Sequence, residues 1–404
     1  MILKIVWRNL WRNKRRTLIT MASVFFAVIL AVVMRSMQLG TYDRMIRNIA
    51  GFYSGYIQIH QQGYWDEQSL EKSFVMSDTV SDALKENKYV TEWVPRLESF
   101  ALCSGKNATR GLRIVGTDPE KENAMSDLKS KITEGTYFET GEQVVLLAEG
   151  AARHLNLTIG DTLVIIGQGY HGVSAAAKYP LKGIIQFPTA QLNDNLVYLP
   201  LSEAQYLFAA DKRLTSVSVM LKNNEVLAKA RNRLDEAIDN HYEVMDWGQL
   251  SPELKQAIEG DSSGGIIMLA VLFLIIGFGV FGTVLMMLNE RRREFAILIA
   301  IGMKRMKLGF IVVLETVLIS VIGTLAGMII SLPVIEYFKY NPIKIGGDMA
   351  EAYEKWGFEP VMAFTDKASI FIWMAMLVFL LALLISMFPW FKIRNMDMMK
   401  AMRT

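Results

Sequence analysis

Four apolar runs constrain this chain more than any other feature. They occupy residues 17–39, 266–288, 310–335 and 369–391, and each reaches the roughly 20 residues a helix needs to cross about 30 Å of hydrocarbon. One such run is compatible with a buried core helix; four in one chain predict a membrane protein. The hydrophobic share of 52% decides little, because soluble domains already lie near roughly 45–50%; the clustering decides. The first run is expected to be a retained span. It exceeds the roughly 7–15 apolar residues of a signal core and lacks a small-x-small cleavage site.

Lysines and arginines near the run ends set the orientation. Residues 1–16 carry Lys4, Arg8, Arg12, Lys14, Arg15 and Arg16 without an acid. Residues 289–309 carry Arg291, Arg292, Arg293, Lys304, Arg305 and Lys307 against Glu290 and Glu294. The C-terminal stretch has Lys392, Arg394, Lys400 and Arg403 against Asp397, whereas residues 336–368 are mixed in sign. Both termini and the 289–309 connection are therefore expected in the cytoplasm, and the large insert and the 336–368 loop on the outer side of the membrane. The net charge of +3 then reflects anchoring, not nucleic-acid binding.

The expected fold class is a membrane protein with four transmembrane helices plus a large α/β (α+β) extracytoplasmic domain. An inner-leaflet amphipathic helix takes residues 1–16, the spans take the four runs, and a periplasmic domain with stalk helices takes 40–265. A cytoplasmic connection covers 289–309, a periplasmic loop 336–368 and a cytoplasmic tail 392–404. In the first segment Trp7 and Trp11 share a helical face with basic neighbours, as suits an interfacial helix. The first span is expected to continue as helix to about Gly51, and Gly55–His60 alternates like a strand.

Further strands are expected at 144–147, 161–167, 179–187, 196–201 and 216–221, with helices at 149–156, 202–210 and 224–241. Ser202 is the expected N-cap of the second of these. Residues 248–260 read as polar, and 261–265 as a flexible lead-in to the second span. With Cys103 as the single cysteine, no internal disulfide is available, and the insert must rest on an ordinary core.

Catalytic patterns are missing from the sequence. Gly105-Lys106 is followed by Asn107 and has no first glycine five residues earlier, so there is no phosphate-cradling loop. There is no His-Glu-x-x-His and no Cys-x-x-Cys, and His60, His154, His171 and His241 are scattered and read as surface or strand-end residues. Charges at membrane depth are the better clue. Glu315 is expected to pair with Arg291, Arg292 or Arg293, and Arg35 to snorkel to the outer headgroups. Gly323, Ala326 and Gly327 provide small residues for close helix packing, and Trp373, Met374, Met376, Met387 and Pro389 read as packing or lipid-facing residues of the fourth run.

Three stretches carry a family resemblance. NERRREFAILIAIGMKRMKLGF and the apolar run behind it, WRNLWRNKRRTLIT near the N-terminus, and GLRIVGTDPEKENAMSDLKSKITEGTYFETGEQVVLLAEGAARHLNLTIGDTLVIIG in the insert together resemble the MacB/FtsX-like permease superfamily of ABC transporters, and within it the lipoprotein-releasing Lol-type permeases. The resemblance implies that residues 289–309 form a cytoplasmic coupling helix that docks a separate ABC ATPase dimer. Glu290, Arg291, Arg292, Arg293, Glu294, Phe295, Leu298, Gly302, Lys304 and Arg305 are then its docking residues. It implies no cofactor in this chain, with ATP and Mg in the partner ATPase, no enzymatic activity of its own, and a second permease subunit, identical or paralogous. Lipid-anchored cargo is expected along Val33 and Met37 of the first span and Leu269, Val271 and Leu274 of the second. A periplasmic carrier or adaptor would meet the loop at 168–179 through Tyr170, His171 and Tyr179, although that loop has no internal proline. Efflux of the MacB kind and regulation of a cell-wall hydrolase of the FtsX kind remain alternative readings.

Overall fold

The computed structural model describes residues 2–12, 14–187, 190–355 and 359–395. It divides into two compact units, one of residues 1–41, 258–343 and 362–404, the other of residues 42–257 and 344–361.

The first unit is helical. A short amphipathic helix, Ile2–Arg12, precedes four long helices, Lys14–Ile49, Pro252–Glu290, Arg305–Tyr340 and Ala368–Arg394. All four are long and apolar enough to cross a membrane. The first has 36 residues, about 54 Å at 1.5 Å per residue, so it outruns a bilayer core and bears out the expected extension beyond the first run. Small residues set the packing: a methyl group on Gly323 or Gly327 would stand 2.9 Å from the backbone oxygen of Met21 or Phe25. Val24, Val28, Leu269, Phe273, Met374 and Val378 form the apolar centre.

The polar stretch at 248–265 is a correction. Asp246 closes a capping box with Gln249, and from Pro252 the chain is continuous helix through Ser262, Ser263, Gly264 and Gly265. Gly265 serves close approach, not flexibility, because a Cβ there would meet the Gln38 side chain at 2.3 Å. Gln38 Nε2 in turn donates to the Asp261 carbonyl at 3.0 Å. Arg35, expected to snorkel, instead donates to Gln38 Oε1 at 2.5 Å and Ser262 Oγ at 3.4 Å.

The second unit is built on a ten-stranded mixed sheet. Its strands are β1 (Ile57–Gln61), β2 (Val90–Ser104), β3 (Thr109–Thr117), β4 (Ile132–Gly135), β5 (Val145–Ala148), β6 (Thr162–Gln168), β7 (Ser174–Ile185), β8 (Leu196–Pro200), β9 (Ser216–Leu221) and β10 (Tyr242–Asp246). The pairings β2–β3, β3–β8, β8–β5, β5–β7, β7–β6 and β6–β2 close on themselves into a six-membered ring. Closure leaves those strands no open edge. Leu112, Ile114, Leu147, Leu163, Ile165 and Leu181 are among its buried side chains. Of the remaining strands, β4 pairs with β7, and β9, β1 and β10 extend the sheet in turn from β2, where helices Asp78–Glu86 and Leu227–Ala237 bury Val80, Leu84, Ala230 and Leu234.

The expected strands and helices recur with shifted ends, but the long β2–β3 hairpin had no counterpart in the sequence reading. The helix expected from Ser202 starts at Leu201 behind Pro200, with no side-chain cap. Residues 168–179 are not a loop: a single turn at Tyr170–Gly172 joins β6 to β7.

Candidate functional site

The 289–309 segment forms an elbow. The second long helix ends at Glu290, the nine-residue helix Arg292–Ala300 follows, and the third long helix starts at Arg305. Gly302 makes the reversal with φ +105, a backbone region that glycine enters without a Cβ clash. The N–H groups of Ile301, Gly302 and Met303 close the last turn onto the carbonyls of Ile297, Ile299 and Leu298.

The elbow helix has two different faces. Phe295 is buried with Leu288, Leu308, Val312 and Ile393, and Leu298 packs against the same cluster. Arg292, Arg293, Ile297, Ile301 and Lys304 are exposed, Ile301 at 79%. This corrects the expected single clasp, because Arg291 and Phe295 turn inward and cannot meet a docked partner. Arg305 is half-buried and donates from Nη1 to the Arg394 carbonyl at 3.0 Å.

What holds the elbow is a buried charge joint. Arg291 Nη1 donates to Glu315 Oε2 at 2.8 Å, and Asn9 Nδ2 donates to Glu315 Oε1 at 2.7 Å. Glu315 is 1% exposed, and a carboxyl so enclosed is costly unless it is paired and hydrogen-bonded. Two outer pairs flank it, Arg12 with Glu294 and Arg16 with Glu290. The N-terminal helix, the elbow and the third long helix thus meet at one carboxylate. The Glu315–Arg291 pairing was among those expected; the roles of Asn9, Arg12 and Arg16 were missed. Matching four-residue spacings, Arg12/Arg16 and Glu290/Glu294, were the available signal.

The other expected residues do not gather into one site. Leu269 is buried and Val33 and Met37 pack against the same apolar centre, whereas Val271 and Leu274 are exposed. They do not form one wall, since residues two and five apart on a helix point to different faces. Tyr179 is buried in β7 because strand alternation turns it into the core, which removes it from any partner surface. Tyr170 is partly buried under the Arg213 guanidinium, and His171 is exposed with its Nδ1 3.2 Å from Glu71. His60, read from sequence as a surface or strand-end residue, is buried in β1. No cluster of His, Cys, Asp and Glu among the described residues could hold a metal ion.

Residues 17–237 match the MacB-like periplasmic core domain, and residues 266–398 match the FtsX-like permease C-terminal family. The chain belongs to the MacB/FtsX-like permease family. Relatives of this permease include the macrolide export ATP-binding/permease protein MacB of Aggregatibacter actinomycetemcomitans, 24% identical over 79% of this chain and 50% of that protein. Another is the lipoprotein-releasing system transmembrane protein LolC of Neisseria meningitidis serogroup B, 21% identical over 79% of this chain and 77% of that protein. The chain spans about half the length of the MacB relatives it matches. Among solved structures, the periplasmic region of MacB from Actinobacillus actinomycetemcomitans aligns with 53% of this chain and 97% of its own, at 18% identity and a TM-score of 0.36.

Proposed function

We propose that this permease is the membrane half of a mechanotransmission ABC transporter. A separate ATPase dimer docks from the cytoplasm on the elbow helix, and two permease subunits, identical or paralogous, work together. ATP and Mg are held by the ATPase. The two helices that flank the insert carry the movement to the periplasmic domain, which displaces lipid-anchored or otherwise hydrophobic cargo from the outer leaflet of the inner membrane. The basic N-terminus, elbow and C-terminus support a cytoplasmic position for both termini. Transfer of cargo to a periplasmic carrier or adaptor belongs to the same reading, with the exposed His171 turn as the contact.

The observation that carries this reading is the elbow helix itself. It offers Ile297 and Ile301 to a partner between Arg292, Arg293 and Lys304, while its other face is locked inward by Phe295 and the Arg291–Glu315 pair. An exposed apolar strip edged by charge is a docking surface, and a rigid attachment lets a push on it move whole helices. Arg292→Glu with Arg293→Glu and Ile301→Ser should abolish ATPase co-purification while membrane insertion persists. Unchanged co-purification refutes the docking site. Val271 and Leu274, being exposed, are the positions at which photo-crosslinkers should capture acylated cargo.

A further inference from the structure

The second unit contains a cleft of ≈470 Å³ that the proposed transport role does not use. β1 supplies Gln58 and His60, the β2–β3 pair supplies Glu98, Phe100 and Arg113, and the Tyr64–Glu67 turn supplies Trp65. His60 is 1% exposed, and its ring stacks on Tyr64 with centroids 5.0 Å apart. Its Nδ1 lies 3.1 Å from the Thr215 carbonyl oxygen. A carbonyl only accepts, so Nδ1 carries the proton and Nε2 is a bare acceptor. That Nε2 has no hydrogen-bond partner among the described residues. A buried acceptor left unpaired is costly, and here it belongs to a side chain that lines a cleft of ligand size.

The rest of the lining narrows what would satisfy it. Glu98 accepts from the Tyr53 hydroxyl at 2.6 Å and lies 3.8 Å from Arg113, which also donates to the Tyr53 hydroxyl at 3.3 Å. The two charges compensate each other, so the cleft favours a ligand without net charge. Gln191 and Asn195 also line the cleft; Asn195 Nδ2 donates to the Gln191 carbonyl at 2.9 Å, and side-chain amides combine donors and acceptors, as vicinal hydroxyls do. Phe100, 55% exposed with the Arg113 guanidinium 4.9 Å from its ring centroid, and the partly buried Trp65 line the cleft with aromatic rings, which suit a flat apolar ring side.

We propose that this cleft binds an uncharged, hydroxyl-bearing ring compound of the saccharide class, with one ligand hydroxyl donating to His60 Nε2 and the ring lying against Phe100 and Trp65. The test uses the full chain in nanodiscs free of glucoside and maltoside detergents. N,N′-diacetylchitobiose and cellobiose are titrated by calorimetry and saturation-transfer NMR, with 2-naphthol as an uncharged aromatic control. At least one disaccharide is expected to bind. His60→Phe, which keeps the stacked ring and removes the acceptor, should weaken it about ten-fold, and Phe100→Ala about five-fold. Because Phe100 is exposed, its variant decides the matter if His60→Phe fails to fold. The proposal is overturned if neither disaccharide binds the folded protein, which leaves Nε2 to water alone. It is overturned equally if only the naphthol binds, or if the variants that fold bind a disaccharide as the native chain does.

Discussion

Among the described residues, each unit of this permease buries one arginine–carboxylate pair, Arg96–Glu122 and Arg291–Glu315, and the two are built differently. In the sheet unit Arg96 and Glu122 are fully enclosed and bidentate, with bonds of 2.9 and 2.7 Å. Thr117 and Ser126 hydroxyls donate to the same carboxylate at 2.8 and 3.1 Å, and the third guanidinium nitrogen reaches the Tyr53 carbonyl. In the helical unit Arg291 gives Glu315 a single bond, and the second carboxylate oxygen belongs to Asn9 on a separate helix. A buried pair repays desolvation only when geometry and extra hydrogen bonds are good. The first pair meets that standard within one closed fold. The second meets it only while three helices stay together, which makes it a joint instead of a staple.

Breaking the staple should cost most. Glu122→Gln leaves the enclosed Arg96 charge without its counter-ion, a loss of about 3–5 kcal/mol, to be read as a fall in the unfolding midpoint of the full chain. Glu315→Gln should destabilise less, because Arg291 keeps Glu294 as a second acceptor at 3.4 Å, yet under the proposed function it should weaken coupling between ATPase and cargo release. Equal thermal losses for the two variants would erase the distinction between them.

A third measurement sharpens the comparison through pH. Burial lowers the His60 pKa, opposed in part by its bond to Thr215 and by Glu98 and Glu243. Below about 6.5 the unfolded chain binds a proton that the folded chain refuses, so stability should decline as pH falls from 7 toward 5. His60→Gln should flatten that decline; an unchanged slope assigns it to other groups. The smallest effect is expected at the rim of the joint. Arg12 and Glu294 are each about half exposed, and exposed pairs contribute roughly 0–1 kcal/mol, so Arg12→Ala should barely move the midpoint and leave Glu315 paired.

Sequence reading succeeded where burial and periodicity coincide. The four apolar runs, the N-terminal amphipathic helix and strands such as Ser216–Leu221 were all legible in that way. It failed where a charged residue is buried. Arg96, Glu98 and Pro95 interrupt the alternation of β2, and only the distant Glu122 makes an enclosed arginine acceptable there. The same holds at the elbow. The charges of 290–294 were legible, but the inward turn of Arg291 depends on a carboxylate 24 positions further along the chain. The lead-in at 248–265 was misread because polarity and glycine resemble a loop until a neighbouring helix explains the glycine.

Cys103 lies buried within the closed ring of strands, and burial pushes its thiol up to about 12. Thiolate is the form that oxidises, exchanges and alkylates, so the single sulfhydryl of this chain is chemically silent at neutral pH while the fold holds. Two copies would not cross-link through it in an oxidising compartment. Any cysteine introduced on the surface becomes the sole reactive thiol, so a fluorophore or spin label at Ile301 or on the His171 turn could be attached to the otherwise natural sequence.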